Sequence, residues 1–205
     1  MKRHFSSTFA AAVAMTALAC GSGDNAGTQT ADAGGTNPCA ANPCAANPCA
    51  ANPCAGMETP EWFTIDEAAR TATIDVSAGA TDANDYWNFN GHFDGNATIV
   101  VPEGYTVTLN FTNNDPLTTH SVGVDATTGD FPTLFDDPSP VFAGAISPNP
   151  TSMTDGTASG QSVTLTFVVD AAGEYSLVCY IPGHAQTGMW INFTVSSDGS
   201  AGVKT

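Results

Sequence analysis

The sequence predicts an all-β domain, an antiparallel sandwich or barrel, behind a long irregular leader. Three observations predict it. From about Glu61 onward, short runs rich in Val, Ile, Thr, Phe and Tyr alternate with clusters of Gly, Asn, Asp and Pro. The helix-like stretch near Ile65 to Arg70 is short. Nearly all aromatic residues fall in this part, whereas the first sixty residues are rich in Ala, Gly, Asn and Pro.

The strands follow in order. Thr71 to Val76 alternates apolar and polar residues, the period of a strand with one buried face. Ala97 to Val101 and Tyr105 to Phe111 are separated by the turn Pro102-Glu103-Gly104. Thr119 to Val124, Val163 to Val169, Glu174 to Cys179 and Trp190 to Val195 complete the set. Residues 125–161 form a long segment heavy in Pro, Gly, Asp and Ser, with a candidate edge strand at Val141 to Ile146. A loop of that length is uncommon in a compact domain and points to a role. The domain is expected over residues 59–198, with 199–205 as a flexible tail.

Residues 1–19 read as a signal peptide. Lys2 and Arg3 form a positive start, Phe9 to Leu18 a short apolar run, and Ala17-Leu18-Ala19 a small-x-small cleavage site. The run is too short to span a bilayer as a helix. Cys20 follows directly, and Ala17-Leu18-Ala19-Cys20 resembles a bacterial lipobox, so Cys20 is the expected lipidation site. The chain is therefore expected to be exported and lipid-anchored, in the periplasm or at the cell surface.

Residues 20–58 read as a flexible linker. Within it, Asn-Pro-Cys-Ala-Ala repeats with a period of five and places Cys39, Cys44, Cys49 and Cys54. Asn-Pro keeps each unit out of regular helix. In an exported chain these thiols tend to oxidise, giving a stiff disulfide-linked spacer. A tether that binds a soft metal ion is the other reading.

Cleavage after Ala19 leaves Arg70 and Lys204 against 20 acidic residues, a formal charge near −18. Such a chain is repelled by nucleic acid and by anionic membrane surfaces. It is steered toward a basic partner, or is simply kept soluble in a salty medium.

The chemistry concentrates in Val178-Cys179-Tyr180-Ile181-Pro182-Gly183-His184-Ala185-Gln186-Thr187-Gly188-Met189-Trp190. Four residues separate Cys179 from His184, and four separate His184 from Met189. Taken singly, these are ordinary core or surface residues. Together they form a soft donor set that suits copper, on a loop that closes a hairpin at one end of the sandwich. Met is a poor zinc ligand. A blue-copper site needs a second imidazole, and His120 in Thr119-His120-Ser121-Val122 is placed to supply it; His92 is the competitor.

This loop resembles those of rusticyanin and sulfocyanin within the cupredoxin family. Ile181-Pro182-Gly183-His184-Ala185 with Thr187-Gly188-Met189 is similar to the rusticyanin loop. Trp87-Asn88-Phe89-Asn90-Gly91, Pro102-Glu103-Gly104 and Gly188-Met189-Trp190-Ile191 are more similar to sulfocyanin. The resemblance spans about residues 70–196 and implies a Greek-key β-sandwich with one mononuclear copper. It implies His120 and His184 as imidazole ligands, Cys179 as the thiolate and Met189 as the axial thioether. It implies that Ser121 ties the two ligand loops together.

The function expected is a one-electron carrier with no enzymatic activity and no small-molecule substrate. Its partners would be redox proteins such as a c-type cytochrome or a terminal oxidase with a basic surface. A copper-storage or delivery lipoprotein is the alternative, supported by the Cys repeat. A multicopper enzyme domain would need further His ligands, and once cleavage removes His4 only His92 is left for them. Leu117, Ile181, Pro182 and Trp190 are expected to form a dry shell, and the outer edge of His184 the electron path.

Overall fold

The computed structural model describes residues 56–205. The expected signal peptide, Cys20 and the four cysteines of the repeat lie outside the described residues.

Among the described residues, nine strands form two sheets. One holds β1 (Phe63–Asp66), β2 (Thr71–Ala78), β4 (Tyr105–Asn113) and β6 (Ser162–Val169), in the order β1-β2-β4-β6. The other holds β3 (Thr98–Pro102), β5 (Gly123–Asp125), β7 (Gly173–Val178), β8 (Trp190–Ser196) and β9 (Gly202–Lys204), in the order β5-β7-β8-β3-β9. The sandwich expected from the strand spacing is present. Two pairings depart from a purely antiparallel sheet, since β2 runs parallel to β4 and β3 parallel to β8. Between β2 and β4 the chain crosses to the other sheet as β3, and on return it resumes the direction of β2.

Alternation puts one face of each strand inside. In β4, Val107, Leu109 and Phe111 are buried; in β8, Ile191, Phe193 and Val195. They meet in one core between the sheets. Each such side chain contributes about 1.5–3 kcal/mol relative to leaving it in water.

Four sequence expectations are corrected. The helix-like stretch near Ile65 begins as β1, because Phe63 and Ile65 pair with Ile74 and Ala72 of β2. The turn that follows is closed by the Ala69 amide on Asp66 Oδ1 and the Arg70 amide on Glu67 O. Residues 199–205 are not a tail. Ala201 and Val203 are buried, β9 pairs with β3, and Val203 exchanges amide hydrogen bonds of 2.8 Å with Glu58. An edge of β3 lined by Ile99 needs a cover, and β9 is that cover.

The third correction concerns Thr119 to Val124, of which only Gly123 and Val124 enter a strand. His120 instead exchanges two 3.0 Å backbone hydrogen bonds with Thr157, and the Ser147 amide donates to Val122 O. The fourth concerns residues 141–146, where only Ile146 pairs, as a single antiparallel bridge to Gly123 of β5, and bends and a turn precede it. They hold to β5 through the Val124 amide on Ala145 O and the Val141 amide on Val124 O.

The long segment is anchored by aromatics. Phe142 stacks on Phe167 with ring centroids 6.2 Å apart and meets Tyr175 edge-on. Phe131 and Phe135 pack on Trp190 and Tyr180, beside the Cys179–Met189 loop.

Candidate metal centre

The loop after β7 is built to turn back on itself. The Cys179 amide donates to Met189 O at 3.1 Å and the Met189 amide to His184 O at 2.9 Å. Gly188 has φ +101°, a conformation that a side chain would strain. The long segment braces the loop from outside: the Gly183 amide donates to Thr133 O, and Thr133 Oγ1 to Gln186 Oε1.

His120 arrives from the strand-free stretch before β5. Its Nδ1 lies 3.1 Å from His184 Nδ1 and 3.8 Å from Cys179 Sγ, and His184 Nδ1 lies 3.6 Å from that sulfur. All three side chains are buried. Met189, fully buried, leads out of the same loop. His92 is not among these donors; it closes a tight turn with Phe89 through a pair of 2.8 Å backbone hydrogen bonds.

The triangle fits a metal ion. Donors arranged trigonally around a first-row ion, with bonds of about 2.0–2.3 Å, stand about 3.5–3.8 Å apart. The two sulfur–nitrogen spans match, and the nitrogen pair is somewhat closer. The orientation of His120 is fixed by a partner. Its Nε2–H donates to Asp115 Oδ2 at 2.8 Å, since a carboxylate accepts, and this leaves the Nδ1 lone pair facing His184 and Cys179. Two nitrogens facing each other at 3.1 Å need a proton or a cation between them. A thiolate, two imidazoles and a thioether are a soft set that suits copper.

Burial sets the protonation of the metal-free site. It pushes the Cys179 thiol up to about 11, against the opposing hydrogen bond from the Ser121 amide. It takes His184 down to about 3, helped by His120. It lowers His120 as well, with Asp115 pulling the other way. Both imidazoles are therefore neutral at pH 7, as ligands must be, and the thiol has a proton to surrender.

Ser121 joins the ligand loops. Its amide points at Cys179 Sγ at 3.4 Å, its hydroxyl lies 3.7 Å from the same sulfur, and that hydroxyl oxygen accepts the Tyr180 amide at 2.8 Å. Of the expected dry shell, Ile181 is fully buried and Pro182 and Trp190 are half-buried, but Leu117 is 82% exposed and lies outside it. His184 is 2% exposed, and Trp87 stacks on its ring face with centroids 3.9 Å apart.

Asp115 was not singled out from the sequence, and Trp87 entered it only within the run that resembles sulfocyanin, with no role at the site. Asp115 had a faint signal, lying five residues before His120 and followed by Pro116. The Leu117 amide donates to its Oδ1, and its own amide to Asn113 Oδ1. Trp87 had no signal as a neighbour of His184, because the stack joins residues far apart in the chain.

Residues 61–204 match the model of the sulfocyanin (SoxE) domain. The chain is similar to sulfocyanin of Sulfolobus acidocaldarius, 29% identical over 135 residues, covering 64% of this chain and 67% of that protein. Among solved structures it is similar to the copper protein rusticyanin, at 23% identity over 66% of this chain and 87% of that one, TM-score 0.44. It is also similar to auracyanin from Roseiflexus castenholzii, at 24% identity over 60% of this chain and 96% of that one, TM-score 0.43.

Proposed function

The chain belongs to the sulfocyanin domain family, and on that premise we propose that it is a type 1 blue copper protein carrying single electrons in an extracytoplasmic chain. The observation that carries this reading is the buried triangle of His120 Nδ1, His184 Nδ1 and Cys179 Sγ. Met189, buried on the same loop, would add its thioether as a fourth, weak donor to the copper.

Copper, when bound, supplies the couple between Cu(I) and Cu(II). The protein's part is to hold the donors still and dry. Asp115 fixes the His120 ring and its tautomer, the role of a hydrogen-bonded neighbour of a metal ligand. The Cys179 proton leaves on metal uptake, and the Ser121 amide then faces the sulfur charge. That hydrogen bond and the surrounding apolar side chains favour the reduced state. Both ligand loops are cross-linked by backbone hydrogen bonds, so the donors move little between oxidation states. The enclosure of the three donors favours a resident ion over stored cargo, and so a carrier over a storage protein.

The rest of the proposal extends from the sequence. Export and lipidation at Cys20 would tether the domain to a membrane through the linker. The net charge of −16 for the whole chain favours a basic redox partner, a c-type cytochrome or a terminal oxidase.

The test is the visible spectrum of the oxidised, Cu(II)-loaded chain. An intense blue thiolate-to-copper band, abolished by Cys179→Ser, is expected. A colourless protein, or copper binding indifferent to that change, rejects the reading.

A further inference from the structure

The imidazole of His184 is 2% exposed, so little of that ring meets a partner directly. The ring in its way is Trp87, stacked at 3.9 Å between centroids and only 19° from parallel. Trp87 is half-buried, so it is the more exposed residue of the pair.

The backbone goes to unusual lengths to put it there. Asn84, Asp85 and Tyr86 have φ of 50°, 54° and 69°, three successive residues in a conformation that L-residues avoid. The segment is pinned to the ligand loop by Asn84, whose Nδ2 donates to Trp87 O at 2.9 Å and to Thr187 O at 3.2 Å. Strain held in place by cross-links beside a site is a mark of function. The same stretch of chain carries exposed Asp82, Asp85 and Asp94, and the Asp94 amide donates to Gly188 O of the ligand loop at 2.7 Å. Arg70 is far from this rim, at the opposite end of β4 over Tyr105.

We infer that Trp87 is the electron port of this protein: one electron leaves through the stacked rings of His184 and Trp87 to an acceptor whose basic face docks over the indole. The inference rests on the blue-copper reading. One electron is lost by the reduced centre and one is gained by the acceptor protein; no bond forms or breaks and no proton moves. The stack supplies ring-to-ring contact for that electron, and the aspartates steer a cationic surface toward it.

The test uses the full-length copper-loaded protein and tris(phenanthroline)cobalt(III), a cationic one-electron oxidant. Trp87→Leu is expected to keep the blue band and the potential while slowing oxidation by about tenfold or more. Trp87→Phe, which restores a stacked ring, is expected to recover most of the rate. A Trp87→Leu rate equal to or above that of the wild type overturns the port and leaves Trp87 as a lid. A second measurement needs no variant. The redox-inert, paramagnetic chromium(III) analogue, titrated into the reduced wild type, is expected to broaden the Trp87 indole N–H resonance before those of Trp62 and Trp190. Broadening of either of those with Trp87 left sharp overturns the proposal. Absence of the blue band in the wild type withdraws the blue-copper reading itself, and the port with it, whereas a blue protein with an indifferent Trp87 rejects the port alone.

Discussion

Asp115 Oδ2 lies 2.8 Å from His120 Nε2, and both side chains are buried. This carboxylate decides which nitrogen of His120 carries the hydrogen, and so which nitrogen is free to bind metal. Because Asp115 also accepts the Leu117 amide, it fixes the ring relative to the backbone that delivers it.

Asp115→Ala is therefore expected to weaken copper binding by about 10–100-fold. It should also destabilise the metal-free fold by about 1–3 kcal/mol, since the buried His120 Nε2–H loses its acceptor. Competition titration against a copper chelator measures the first effect, and chemical denaturation of the metal-free protein the second. Unchanged affinity would mean that the His120 ring is held by its packing alone.

Ser121→Ala separates structure from redox tuning. The Tyr180 amide loses its 2.8 Å partner in the interior, a cost of about 1–3 kcal/mol. The hydroxyl near the Cys179 sulfur is lost as well, so the reduced state is less favoured and the reduction potential falls. Voltammetry of the wild type and the variant checks the direction; a rise in potential contradicts this role for the hydroxyl.

The metal-free domain has a bounded range of pH stability. His184 titrates near 6.5 when unfolded and near 3 when folded, so below 6.5 the unfolded chain binds the extra proton. Stability is lost as pH falls from about 6.5 toward 3. For Cys179 the folded value is raised from 9.0 to about 11, so here the folded chain holds the extra proton. Stability is then lost as pH rises from about 9 toward 11. Denaturation midpoints of the metal-free protein should be level between these limits, and His184→Gln should flatten the acid limb. An acid limb unaltered in that variant assigns it to other groups.

The C-terminal strand and the long segment are both part of the fold. Deleting residues 202–205 removes β9, which pairs with β3 and carries the buried Val203, and is expected to lower the melting temperature markedly. Phe142→Ala is expected to cost about 3–5 kcal/mol, as for an aromatic removed from a packed core. Scanning calorimetry compares both with the wild type. A melting temperature within error of wild type for the deletion would mean that β9 adds nothing to stability.

Six of the nine strands were legible because a half-buried strand writes its period into consecutive residues, as Tyr105 to Asn113 does. β1 and β9 were missed, and β5 was expected to begin too early, because each is three or four residues long, too short for a period, and is defined by the strand it pairs with. Cys179, His184 and Met189 were legible for a related reason: they share one loop, and their spacing is covalent. His120 could be proposed from its place before a strand, but its approach to 3.1 Å from His184 depends on the bridge to Thr157.

By itself, then, the sequence determined the β architecture, the donor types and the loop that presents three of them, because these are properties of neighbouring residues. Tertiary structure alone decided that Asp115 holds His120, that Ser121 reaches the Cys179 sulfur, that Trp87 covers His184, and that the last residues close a sheet edge. Those contacts join segments from different parts of the chain, and their distances are set by how two sheets pack rather than by any local pattern.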